Sequence, residues 1–433
     1  MKKMKKLFAL GLAGCMTLAA LTGCGSKETG GTSQGAGSTQ AQSGAQSTDN
    51  AAPYKIAVAT IHEGESWEIQ KAYFEKEVGP ALNMEFMFSE KLADANGLVD
   101  FMEQAYASGC VGMINLVTSN DAVAQGARKA EEWGMWFVTQ NSSLNEDVAE
   151  LTYNLGHCGA SATGMGDAYT KAFAELLGDG EDHSVFVFSG AAVGGAIGQG
   201  AASHYYTVQG ILEAMQDQYN LTYEKSVDDI INNQNPGEVA TDNDKVKIYV
   251  YPGVDVAAAI TAAQTQFQTG GYDTFAAVFS YSAFTNAIAD VEQSLNKNIK
   301  IIGTASIEQQ TATGFTTQDS QGDTVLNAAI VNPLNNANAV CAVLLYNALT
   351  GHAEAMKDNG KAVLFEVQPW VCMSAETYEG IGQLDTSSET YVVNAEDLKA
   401  LCVENNEGLT FADIEQKLTD LADVDAVIDA KLK

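Results

Sequence analysis

Lys55-Ile56-Ala57-Val58-Ala59-Thr60, followed by residues 64–78 and then by Met84-Glu85-Phe86-Met87-Phe88, is the stretch that decides the fold. The first and last pieces are short runs rich in β-branched and aromatic residues, with the composition of buried strands. Between them Trp67, Lys71 and Phe74 recur at helical spacing. The alternation continues. Residues 96–108 place Leu98, Phe101, Met102 and Ala105 on one helical face, and Gly112-Met113-Ile114-Asn115-Leu116 reads as a third strand. Residues 119–133 form the next helix, and Trp136-Phe137-Val138-Thr139 the fourth strand. A β-α-β-α order of this kind predicts a parallel sheet covered by helices.

The pattern then restarts. Helices are expected over 161–177, 204–219, 255–268 and 284–295. They are interleaved with the strands Val185-Phe186-Val187-Phe188, Val246-Lys247-Ile248-Tyr249-Val250, 275–279 and Ile299-Lys300-Ile301-Ile302. Two successive sheets imply two lobes, with a cleft lined by the loops that leave the C-terminal strand ends. Residues 395–402 and 410–428 read as acidic amphipathic helices, either packed on a lobe or presenting a partner surface.

Ahead of this region, Lys2, Lys3, Lys5 and Lys6 precede an apolar run over 7–21, too short to span a bilayer and suited to a signal peptide. The run ends in Leu21-Thr22-Gly23-Cys24, which resembles a bacterial lipobox. An upstream match, Leu12-Ala13-Gly14-Cys15, leaves about half the usual apolar length before cleavage, so Cys24 is the expected lipid-attachment site. Residues 25–53 are Gly, Ser, Thr, Gln and Ala with almost no large apolar side chain. They should act as a flexible tether of roughly 30 Å r.m.s. span.

The formal charge is −32, and loss of the four leader lysines would take it to −36. Arg128 is the only arginine. Broad nucleic-acid binding needs clustered cations and is excluded, and an anionic ligand would have to be held without an arginine fork. Beyond Cys15 and Cys24, the cysteines at 110, 158, 341, 372 and 402 show no CxxC spacing. They read as small buried residues, with a single bridge left open. The histidines at 62, 157, 183, 204 and 352 form no metal-ligand pattern. Glycines 190, 194, 195, 198 and 200 match neither nucleotide-binding spacing and suggest a mobile cleft loop. No Ser-His-Asp set or other catalytic pair is found, so no enzyme is expected and no cofactor.

Several stretches in the same order resemble the type I periplasmic-binding family, in its ribose/galactose-like branch of sugar solute-binding proteins of ABC transporters. They are Val111-Gly112-Met113-Ile114-Asn115 with Ser119-Asn120-Asp121-Ala122, residues 127–139 (ARKAEEWGMWFVT), Gln209-Gly210-Ile211-Leu212-Glu213-Ala214, Ile301-Ile302-Gly303, and Ala329-Ile330-Val331-Asn332-Pro333 with the helix to Gly351. The likeness covers about 54–378. It implies an α/β protein of two lobes, each a parallel sheet sandwiched by helices, joined by a three-strand hinge with crossings near Leu155, Asn332 and Gly351. Lobe 1 is then 54–155 with 333–352, lobe 2 is 156–332 with 353–379, and 380–433 is an acidic helical extension.

The resemblance also points to cleft residues. Trp67 occupies the region where the family offers a ring to a sugar face, although a core residue at a helix start is an equal reading. Glu63 and Glu65 flank it, as hydroxyl acceptors or as solvated charges. The family's charged positions are changed here. Gln140-Asn141 stands where a carboxylate is usual, Gly303-Thr304-Ala305 replaces a GfD strand end, and Ser280-Tyr281-Ser282 replaces Asn-Asp. His204-Tyr205-Tyr206 stands at the usual arginine, and Asn332 replaces Gln before Pro333. Asn115 completes the candidate set. Neutral groups in place of Asp and Arg favour a neutral sugar or sugar-like ligand read by shape and stacking. The implied protein is a lipid-anchored monomer without a metal, closing two lobes on its solute at the outer face of the cell membrane and delivering it to an ABC-importer permease. The alternative is a sensory subunit presenting its bound form to a membrane receptor or histidine kinase.

Overall fold

Buried strands flanked by capped amphipathic helices build the chain, as the alternation predicts. The computed structural model describes residues 52–433 apart from 118, 141–143, 178–182, 191–201 and 388–389. The leader, Cys24, most of the tether, Asn141 and most of the glycine-rich loop therefore lie outside the described residues. The first half runs β1 (Tyr54–Thr60), α1 (Glu65–Tyr73), α2 (Gly79–Leu82), β2 (Met84–Lys91), α3 (Ala95–Ala107), β3 (Gly112–Asn115), α4 (Asn120–Trp133), β4 (Trp136–Gln140) and β5 (Asn154–Ala160). Local chemistry sets several of these boundaries. Asp94 accepts from the Gly97 N–H and Ser119 from the Ala122 N–H, starting α3 and α4. Gly134, at φ 68°, takes the left-handed turn that ends α4.

The chain continues through α5 (Ala162–Leu177), β6 (His183–Phe188), α6 (Ala202–Tyr219), α7 (Val227–Ile231), β7 (Gly237–Val239), β8 (Val246–Tyr251), α8 (Val256–Thr265), β9 (Thr274–Ala277), α9 (Thr285–Leu295), β10 (Lys300–Ala305), α10 (Gln309–Thr316) and β11 (Ala328–Val331). It ends with α11 (Leu334–Leu349), β12 (Val363–Val367), β13 (Trp370–Cys372), α12 (Ala375–Thr386), α13 (Ala395–Ala400), α14 (Phe411–Asp420) and α15 (Val424–Leu432). Among the described residues no helix is long and apolar enough to cross a membrane.

Two sheets result. Lobe 1 carries the order β12-β5-β4-β3-β1-β2, parallel throughout. Lobe 2 carries β13-β11-β10-β9-β6-β8-β7, parallel except for its two edges, where β13 and β7 run antiparallel. Central strands such as β3 and β9 are buried along their whole length, which explains their largely apolar sequences.

The lobe boundaries need correction. Strand β5 runs to Ala160 inside the lobe 1 sheet, so the first crossing lies there and not at Leu155. The second crossing is at Asn332–Pro333, between β11 and α11, and α11 packs against lobe 1 strands. The third is not at Gly351. Residues 353–367 stay in lobe 1, where Phe365 lies opposite Cys158 in register with β5, and only β13 beyond Pro369 joins lobe 2. A fully buried β-branched run does not itself tell which of two sheets it joins. The C-terminal helix expected over 410–428 is two helices. The Asp423 carboxylate accepts from the Asp425 and Ala426 N–H groups and starts α15 anew. All five described cysteines are buried and unbridged.

Candidate functional site

A cavity of about 380 Å³ opens where the C-terminal ends of the lobe 2 strands meet the first and second crossings. Five of the expected residues line it: His204, Tyr281, Ser282, Thr304 and Asn332. Ser280, at φ 52°, holds a left-handed conformation unusual for a residue with a Cβ. It turns the chain after β9 into the short helical turn Tyr281–Ala283. The Tyr281 ring then lies over Gly303, where an added Cβ would come within 2.7 Å of it, so β10 admits the ring only with glycine there. The Tyr281 hydroxyl bonds Thr311 Oγ1 at 3.0 Å, and burial pushes its pKa up to about 12.

Thr304 is held from below. The Tyr169 hydroxyl donates to the Ala277 carbonyl at 3.1 Å and lies 3.0 Å from Thr304 Oγ1. With its one proton committed to Ala277, Tyr169 leaves Thr304 as the donor between them. The His204 ring lies flat on Phe279, centroids 4.8 Å apart and planes within 3°. Burial lowers its pKa, with the Gly190 backbone opposing, so the imidazole is neutral at pH 7. Among the described residues Asn332 Oδ1 is buried without a hydrogen-bond partner, and His204 Nδ1, buried beside Gly190, makes no hydrogen bond of good geometry. Each such atom costs about 1–3 kcal/mol, which a ligand group bonding it would recover.

Among the described residues, Glu308 is the one charged side chain lining the cavity, and it was not anticipated. It sits three residues beyond Ala305, just before α10. Burial raises its pKa and the Glu65 carboxylate raises it further. The Tyr378 hydroxyl fixes its backbone. It accepts from the Glu308 N–H at 2.8 Å and lies 3.0 Å from the Ser306 and Glu308 carbonyl oxygens. Met165, Thr207 and Phe279 also line the cavity and were missed. Thr207 had a readable signal, since it follows His204 by three residues on the same helical face.

The other expected residues go elsewhere. Tyr205 and Tyr206 follow His204 on a helix that rotates about 100° per residue, so the three cannot share one face. The Tyr205 hydroxyl donates to Asp228 at 2.5 Å, and Tyr206 lines a separate groove with Gln209 and Glu213. In lobe 1, Trp67 is only 7% exposed, on the inward face of α1 with Gln70 and Tyr73, and meets Phe88 edge-on at 5.7 Å. Asn115 is fully buried and braces its own loop, accepting from the Val117 N–H and donating to the Val117 carbonyl. Gln140 donates to Asn338 Oδ1 at 3.0 Å, and Asn338 donates to Gln70 at 3.2 Å. Glu63 is exposed and paired with Lys91 at 2.6 Å.

No protein-family model matches the chain, and no curated protein matches it in sequence. Solved structures do match it in shape. An arabinose-binding protein from Geobacillus stearothermophilus superposes with a TM-score of 0.55 at 16% identity, over 76% of this chain and 98% of that one. An ABC-transporter solute-binding protein from Burkholderia graminis, in complex with D-arabinose, gives 0.54 at 11% identity, over 75% and 96%. One from Bacillus halodurans with bound myo-inositol gives 0.53 at 11%, over 77% and 98%. The two-lobed α/β architecture built above is thus the fold of the type I sugar-binding proteins of ABC transporters.

Proposed function

We propose that this protein captures a small neutral polyhydroxylated solute, a sugar or sugar-like molecule, in the cavity beside Tyr281 and Asn332, and does no chemistry on it. The carrying observation is the pair of buried polar atoms without a hydrogen bond of good geometry, His204 Nδ1 and Asn332 Oδ1, in a cavity with the Ser282 and Thr304 hydroxyls and one carboxylate. Neutral donors and acceptors beside the Phe279 and Tyr281 rings suit hydroxyl groups and C–H faces. The ligands of the similarly folded proteins, D-arabinose and myo-inositol, have this chemistry. On this reading the protein works outside the cell, held by a lipid on Cys24, and hands its solute to the permease of an ABC importer.

The test is a thermal-shift and calorimetric screen of the protein against D-arabinose, D-galactose, L-rhamnose and myo-inositol. A solute at 100 times its Kd stabilises the fold by about 2.7 kcal/mol. His204→Ala and Asn332→Ala should each weaken binding while leaving the fold intact. Absence of any neutral polyol from the hits, with a charged solute binding instead, would overturn the reading.

A further inference from the structure

We infer that the C-terminal segment from α12 to α15 ties the two lobes together and holds the cleft near one opening, so that solute enters a largely preformed site. A pair of lobes joined only by three crossings can swing about them. Here a fourth connection is built from packing. Helix α12 rests on α1 of lobe 1 and on α10 of lobe 2, and it also packs against α15. Its Tyr378 hydroxyl holds the Ser306–Glu308 backbone at the cavity wall of lobe 2.

From α12 the chain returns to lobe 1. The Tyr73 hydroxyl donates to the Val393 carbonyl at 2.7 Å, and the Tyr73 and Tyr391 rings meet edge-on at 4.8 Å. Glu77 accepts from the Ala395 N–H at the start of α13. On α11, Asn347 donates to the Leu401 carbonyl at 3.0 Å and accepts from the Val403 N–H at 2.8 Å. Helix α14 then lies on β12 of lobe 1, and α15 on β13 of lobe 2. The lobe 2 anchor is polar as well as apolar, since Trp370 Nε1 donates to the Leu421 carbonyl at 2.9 Å. Lys417 of α14 and Lys431 of α15 both pair with Asp397 of α13, at 2.8 and 2.9 Å, so the three helices meet at one carboxylate.

The apolar side agrees. Ile56 and Val58 of lobe 1, Phe186 and Phe275 of lobe 2, and Leu398 and Val424 of the segment belong to one continuous buried cluster. Residues 52–433 accordingly form one compact unit despite their two sheets. Swinging the lobes apart would return part of that cluster to water, at about 25 cal/mol per Å² of apolar surface. A further tie crosses directly, where the Glu65 carboxylate of lobe 1 accepts from the Gln309 N–H of lobe 2 at 2.9 Å.

The test does not depend on the solute. Nitroxides are placed at exposed positions of each lobe, Glu90→Cys and Asn286→Cys, in the full chain with Cys15 and Cys24 replaced by serine; the remaining cysteines are buried. Pulsed dipolar spectroscopy of the solute-free protein should give one narrow distance distribution. Adding D-arabinose, D-galactose, L-rhamnose or myo-inositol should move it by less than about 2 Å, the scale that separates fixed from rearranging partners. The double variant Glu65→Ala/Tyr378→Phe should broaden it. Two populated distances without solute, or a shift beyond about 2 Å with any of the four, would overturn the tie. Should the double variant misfold, hydrogen exchange on the otherwise unaltered protein decides: the Gln309 amide should be protected like the β10 core, and fast exchange there sinks the inference. A narrow distribution in a protein that binds none of the four solutes but does bind a charged one would leave the tie standing and remove the proposed function.

Discussion

In lobe 2, Ser282, Thr304 and Asn332 follow or end their strands beside a single cavity, and two of the buried polar atoms there, on His204 and Asn332, make no hydrogen bond of good geometry among the described residues. In lobe 1, Asn115 and Gln140 end strands in the same topological position but bond back into the protein, to Val117 and to Asn338. Trp67 differs from Tyr281 in the same way. The first fills the core against Phe88, whereas the second is buried yet still forms cavity wall. A strand-exit position therefore makes a residue a candidate, and only its hydrogen-bond accounting shows whether it is free for a ligand. Lobe 2 lines the cavity with these residues, and lobe 1 spends equivalent ones on its own packing.

Substitutions can break or sharpen this contrast. The largest effect is expected from Trp67→Ala, about 3–5 kcal/mol of lost stability in chemical denaturation, as for other buried large-to-small changes. If the fold were unaffected and solute binding alone were lost, the contrast would be wrong at its most prominent residue. Next comes Asp385 on α12, buried and with its pKa raised by burial to about 7, an Asn335 hydrogen bond opposing. A carboxyl raised in the fold binds its proton more tightly folded than unfolded. Stability should thus rise as pH is lowered from 8 through 7 toward the ordinary carboxylate range. Asp385→Asn should flatten that slope in urea titrations across pH; an unchanged slope would show that the group titrates normally.

Glu308→Gln tests lobe 2 directly. Losing a charged acceptor for a solute hydroxyl should cost about 1.5–3 kcal/mol of affinity by calorimetry, roughly ten- to hundredfold in Kd. Because burial and Glu65 raise the Glu308 pKa, acidification should weaken binding of the unaltered protein at a higher pH than an ordinary carboxylate would, and the Gln variant should lack that dependence. Gln140→Ala should lower stability by about 1–3 kcal/mol, because Asn338 Oδ1 loses its donor, with Kd unchanged. An affinity loss there would move lobe 1 into the site. The smallest effect belongs to Glu63→Ala, at most about 1 kcal/mol for so exposed an ion pair, with no change in binding.

The alternating pattern made the two sheets legible because each helix and strand carries its own period. The three-residue edge strands β7 and β13 carry no period long enough to read. Nor does the composition of Val363–Val367 say which lobe it completes, since both sheets want the same buried residues. At the site, the departures at Thr304, Ser282 and Asn332 drew attention to groups that do line the cavity. Glu308 was invisible because it lies past the strand end, in a loop whose position depends on Tyr378, far away in sequence. Trp67 misled for the converse reason, because a ring at the start of a helix serves a sugar or a core equally well.

Strand β12 also dictates the order in which the molecule can be assembled. It sits at the edge of the lobe 1 sheet beside β5, with Val363 opposite Gly156 and all of the contiguous lobe 2 sequence between them. A chain emerging from its N-terminus can therefore form most of the lobe 2 sheet before lobe 1 is complete. Until residue 367 arrives, β5 remains an open edge with unpaired backbone groups. Closing that long loop is slow, as for any pairing of distant segments. Lobe 1 begins first yet is completed only after most of the lobe 2 sheet has been made, and its half-built sheet is a stage at which the chain is exposed to mispairing.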